Sequence, residues 1–151
     1  MTYDEIKKMI IDEDSLSVLL DSHKDIFNSV DKLADILLQK HISEPEQIRQ
    51  IEQKLIAYYD KLAPIATLAR NKLDMEEIKI YFKVKKDQKI SQKEAEKIAE
   101  ERLYNMYDSV LSFEVYTKCI DKTLTTCQSM LKSIDSGNKA SSYDRSGDDF
   151  L

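Results

Sequence analysis

The chain has 151 residues, enough for one domain, with a net charge of −5, two Gly, two Pro and no Trp. Both glycines, Gly137 and Gly147, fall in the last fifteen residues. Strands need tight turns, which Gly, Pro and Asn-Gly supply, so this scarcity excludes all-β and α/β bodies and leaves an all-α one.

Charged residues make up 34% of the chain, the composition of long solvated helices. The acidic balance argues against a generally basic nucleic-acid coat and leaves room for a local basic site. Met1-Thr2-Tyr3-Asp4-Glu5 does not open a signal peptide, and no run of about 18 apolar residues is free of charge. A cytoplasmic protein with no membrane partner is expected. Cys119 and Cys127 lie eight residues apart on one expected helix. That is about 12 Å of rise, too far for a disulfide, so both read as reduced thiols.

In chain order, Tyr3, Ile6, Met9 and Ile10 recur at helical spacing behind a Thr2/Glu5 capping box. The acidic run Asp12-Glu13-Asp14-Ser15 interrupts them, and Leu16, Val18, Leu19 and Leu20 follow. Asp21-Ser22 reads as the cap of a helix over about 22–41. Its apolar face is Ile26, Val30, Leu33 and Leu37, flanked by Phe27, Ala34 and Leu38.

Ser43-Glu44-Pro45-Glu46 marks a restart, with a Ser43/Glu46 capping box and Pro45 in the first turn. Ile48, Ile51, Leu55, Tyr58, Leu62, Ile65 and Ala69 then alternate steps of three and four, a heptad seam. Pro64 lies inside it and predicts a bend. Residues 73–84 fit both an alternating strand and a helix. A helix is expected, since no partner strand is evident. Lys85-Lys86-Asp87-Gln88-Lys89 is the turn, and Ser91/Glu94 caps the next helix.

From Ala99 through Leu103, Met106, Val110, Phe113, Thr117, Ile120, Leu124, Cys127, Leu131 and Ile134 the seam runs unbroken. It predicts one helix over 92–135, about 66 Å long, antiparallel to 44–84. Residues 136–151 lose all periodicity and read as a disordered tail. The expected fold is all-α. A short N-terminal helical segment (1–41) packs on a long antiparallel coiled-coil hairpin (42–135), and an acidic-tipped tail (136–151) follows. Ile56, Tyr59, Leu111, Val115 and Met130 exceed what two helices can bury, which predicts a homo-oligomer.

No catalytic or metal constellation emerges, and no cofactor is expected. His23 and His41 sit near the two ends of one expected helix, too far apart to share a metal, and read as surface or cap residues. There is no phosphate-binding glycine loop and no nucleophile motif. Cys127, on the seam, reads as a small packed hydrophobe.

Charge is more informative. Lys79, Lys83, Lys85, Lys86, Lys89, Lys93 and Lys97 face Asp87, Glu94 and Glu96, a local charge of +4 at the hairpin tip. Residues 1–22 carry −4. With Tyr81 and Phe82 beside it, the tip could hold a phosphate backbone and stack bases. The other reading is a turn kept lysine-rich for solubility. The tail ends in Asp148-Asp149-Phe150-Leu151, which resembles the acidic partner-recruiting tip of single-stranded-DNA-binding proteins. There an aromatic fills a pocket while carboxylates meet basic groups.

The order of parts resembles the phage recombination mediators of the UvsY type. An acidic-hydrophobic start (Met9-Ile10-Ile11-Asp12-Glu13-Asp14-Ser15-Leu16) comes first, and two long helices about a basic turn follow. Leu68-Ala69-Arg70-Asn71-Lys72-Leu73 stands where that family carries a basic stretch. The resemblance implies that Arg70 and Lys72 contact DNA. It also implies a homo-oligomer that binds single-stranded DNA and loads a recombinase, in the cytoplasm of an infected bacterium. The expected function is a non-enzymatic accessory factor of phage-like recombination or replication. The alternative is a coiled-coil adaptor, such as a scaffolding protein or tail-assembly chaperone.

Overall fold

The computed structural model describes residues 1–39, 42 and 44–146, with side chains through residue 138. Among these residues six helices follow in order: α1 (Tyr3–Met9), α2 (Glu13–Ser22), α3 (Lys24–Gln39), α4 (Pro45–Asp87), α5 (Gln92–Arg102) and α6 (Tyr104–Ser146). No strand occurs among the described residues. The all-α class read from the scarcity of turn residues is the class observed.

The ambiguous stretch 73–84 is helical and belongs to α4, which also runs unbroken through Pro64. α4 packs along α6 and α5. Arg70 meets Glu114, and Glu77 meets Tyr107, so the long helices run antiparallel about the turn at 88–91. Ile48, Leu55, Leu62, Ile65, Ala69 and Leu73 from α4 interleave with Met106, Val110, Phe113, Ile120 and Cys127 from α6 in one buried core. Most of the expected seam positions are therefore buried, while Tyr58, Thr117, Leu124, Leu131 and Ile134 are only half-buried.

The expected single helix over 92–135 is divided at Leu103, which leaves helical geometry at φ −104° and ψ 13°. Its N–H still donates to the Ala99 carbonyl at 3.1 Å, and its own carbonyl accepts from Tyr107 N–H at 2.9 Å. The ladder is thus distorted without being lost. α6 continues to Ser146, beyond residue 135. Residues 135–138 are all exposed, so packing stops where the apolar pattern stops.

The N-terminal segment is three helices joined by tight caps. Thr2 and Glu5 close a capping box on α1, which buries Ile6. The acidic run does more than interrupt. Asp12 accepts from Ser15 N–H at 2.8 Å, and Ser15 Oγ accepts from Asp12 N–H at 3.0 Å, a reciprocal cap that starts α2. Asp12, Glu13 and Asp14 also place negative charge at the positive end of the helix. The helix expected over about 22–41 is α3, but Asp21 and Ser22, expected to cap it, form the last turn of α2. Asp21 instead pairs with Lys24 on the surface. α4 begins at Pro45 with Glu44 as its cap residue, whose side chain makes no cap bond; the expected Ser43/Glu46 box involves a residue outside those described. Ser43 and His41 lie outside the described residues.

α2 and α3 pack on α6, and α1 packs on α4. Phe113 is the junction. It meets Phe27 edge-on at 5.7 Å and His23 at 5.9 Å, while Phe27 stacks on Tyr116 at 4.2 Å. His23 does end α2, as a cap residue can, but it is buried and not on the surface. Its Nδ1 lies 2.8 Å from the Leu19 carbonyl.

Candidate nucleic-acid interface

The hairpin tip is built by helix caps. α4 ends at Asp87, and Gln88 N–H donates to Val84 O at 2.9 Å. Ser91 N–H and Oγ both donate to the Glu94 carboxylate, at 2.9 and 2.8 Å, and Glu94 N–H donates to Ser91 Oγ. The backbone bond from Ser91, seconded by its hydroxyl, lowers the Glu94 pKa. Lys85 Nζ donates across the turn to the Ile90 carbonyl at 3.1 Å. Underneath, Val84 and Ala95 are buried. The turn is therefore pinned from both sides.

The seven tip lysines divide by partner. Lys79 pairs with Glu76 at 3.1 Å, Lys97 reaches Glu101 at 4.0 Å, and Lys85 is held by Ile90. Lys83, Lys86, Lys89 and Lys93 are exposed, and none has an ion-pair or hydrogen-bond partner among the described residues. Phe82 is 65% exposed. Lys79 lies three residues before it and Lys85 and Lys86 three and four after it, so all three are its neighbours on the helix surface. Tyr81 is half-buried and meets the Phe82 ring edge-on at 5.4 Å. Phe82 is the available stacking face, and Tyr81 is its support.

Arg70 and Lys72 stand elsewhere, midway along α4, and both have partners. Arg70 makes a two-pronged bond to Glu114, Nε to Oε1 at 2.8 Å and Nη2 to Oε2 at 2.7 Å. Lys72 pairs with Glu76 at 2.9 Å, so Glu76 is shared by Lys72 and Lys79, and its pKa is lowered chiefly by the Lys72 bond. The structure thus links Lys72 to Lys79 through Glu76, while Arg70 is paired with Glu114 of α6, apart from the lysines of the turn. Asp148, Asp149, Phe150 and Leu151 lie outside the described residues.

Two cross-helix contacts, absent from the sequence reading, set the hairpin register. The Arg70 bond lowers the Glu114 pKa. Tyr107, half-buried, donates its hydroxyl to Glu77 at 2.8 Å. Burial first, and that bond second, push its pKa up to about 12. Neither contact leaves a mark in local sequence, because each joins residues from different helices.

No group of His, Cys, Asp and Glu side chains among the described residues is arranged to hold a metal. No described helix is long and apolar enough to cross a membrane. These features define an all-α helical hairpin with a pinned, lysine-rich tip. The chain matches no family model, no curated protein and no solved structure.

Proposed function

We propose that this chain is a non-enzymatic accessory factor of phage-like DNA recombination or replication, which binds single-stranded DNA at its hairpin tip and acts with a recombinase. One observation carries the reading: Phe82 is exposed with the unpartnered Lys86 one turn on, and Lys83, Lys89 and Lys93 of the same tip segment also lack an ion-pair or hydrogen-bond partner among the described residues. Phosphates are held by mobile cations, and bases stack on any exposed aromatic face without sequence preference. A turn pinned by caps presents both at little ordering cost.

Arg70 and Lys72, the contacts implied by the likeness to UvsY-type mediators, are better suited to the hairpin's own geometry. Two of the five guanidinium N–H donors already bind the Glu114 carboxylate, which also offsets the positive charge that a phosphate would need.

The adaptor reading keeps one observation in its favour. Leu111 is 53% exposed, and Ile56 and Tyr59 are exposed on the facing helix, apolar surface that suits a protein partner.

The test is fluorescence anisotropy of a labelled oligothymidylate. We expect K83E/K86E/K89E/K93E to abolish binding with unchanged helical signal, and F82A to weaken it about 5–100-fold, the value of one stacked base. We expect R70A/K72A to bind almost normally while melting earlier. Normal binding by the tip variant with loss in R70A/K72A moves the site to the middle of α4. No binding by the wild type at low salt removes the nucleic-acid reading and leaves the adaptor.

A further inference from the structure

Far from the tip, α3 and α6 enclose an open groove of about 520 Å³. Its walls are apolar: Leu37 is buried, and Leu38 and Val115 are 79% and 52% exposed. Its cationic edge is Lys118 and Lys122 on α6, and no carboxylate among the described residues lines it. Both lysines are exposed and lack an ion-pair partner among the described residues. Glu114, one turn from Lys118, is already held by Arg70. An apolar slot whose described lining holds two unpaired cations and no anion suits an acidic peptide with an aromatic or aliphatic anchor.

The chain itself carries such a peptide, Asp148-Asp149-Phe150-Leu151. It cannot reach the groove of its own copy. From Thr126, at the groove's far end, α6 runs on to Ser146, about 30 Å at helical rise. The residues from Ser146 to Phe150 extend at most about 14 Å.

We propose that residues 148–151 of one copy dock in the α3–α6 groove of a second. Phe150 and Leu151 fill the apolar slot, and Asp148 and Asp149 meet Lys118 and Lys122. Two copies laid with their α6 ends antiparallel place each peptide on the other's groove. Such a contact is self-complementary and closes at two chains. This inference does not depend on DNA binding.

Charge exchange in the full chain tests it. D148K/D149K and K118E/K122E should each raise the dissociation constant for self-association at least tenfold in sedimentation equilibrium. Mixing the two variants should restore wild-type affinity, since both groove contacts are then opposite in charge. D148K/D149K keeps the whole hairpin sequence and guards against misfolding of the other variant. A photo-cross-linking amino acid at position 150 should label residues 115–126 of an isotopically marked second copy. Wild-type association by either variant alone, failure of the mixture to recover, or cross-links to residues 78–82 or within one chain would each overturn the proposal.

Discussion

Arg70 and Glu114 stand 44 residues apart in sequence and 2.7 Å apart in the fold. Both side chains are partly exposed, which moderates the value of the pair, and R70A should destabilise by about 1–2 kcal/mol in chemical denaturation. Because Glu114 titrates below its ordinary range when folded, its contribution is complete above the unfolded value. It fades as pH falls through the lowered folded value. E114Q should therefore flatten the acid side of the stability profile and leave the alkaline side alone. Tyr107 behaves in the opposite sense. Its folded pKa is raised, so its contribution is present below the ordinary phenol value and disappears as pH rises through about 12. In an ultraviolet absorbance titration Y107F should remove a late-titrating tyrosine from the eight present. At this scale the sequence was least informative. Arg70 stood out as basic, but its carboxylate partner comes from another helix, and no local pattern names it. The tip lysines were visible as a cluster. Which of them are free was not, because that depends on Glu76, Glu101 and the Ile90 carbonyl.

Helices were legible because their signals are local and periodic. The α6 seam predicted burial, and Val110, Phe113, Ile120 and Cys127 are fully buried. The period could not show how burial fades along the helix. Leu124, Leu131 and Ile134 occupy the same seam and are only half-buried. The aromatic junction with α2 and α3 thickens the core around Phe113 instead. F113A should accordingly cost about 3–5 kcal/mol and I120A about 2–5 kcal/mol. L131A should cost clearly less than either, and K122A almost nothing, in thermal melts read by circular dichroism. Equal shifts for Ile120 and Leu131 would contradict the graded core. The cap that starts α2 was not legible, for a definite reason. Asp12-Glu13-Asp14 reads as a solvated acidic run, and only the reciprocal bond with Ser15 makes it a cap. The joint at Leu103 has no sequence mark, since Leu is a good helix former and stands on the seam.

For the whole molecule, composition excluded sheets, and the pattern of two long seams implied their antiparallel pairing. What the molecule binds was not legible in the same way, because a basic cluster and an exposed ring serve solubility as readily as recognition. The exposed apolar residues on α4 and α6 lead us to expect an oligomer, with light scattering at micromolar concentration giving a mass well above one chain. A monomer there would contradict that expectation. The central claim is that the free tip lysines hold phosphates. Each phosphate contact on a single strand contributes about −0.7 to the slope of log affinity against log salt, so four lysines predict a slope of about −3. Oligothymidylate affinity should be measured across a salt series for the wild type and for K83Q/K86Q. The account predicts that this pair of substitutions roughly halves the slope. A wild-type slope near zero, or a slope unchanged in K83Q/K86Q, would contradict it.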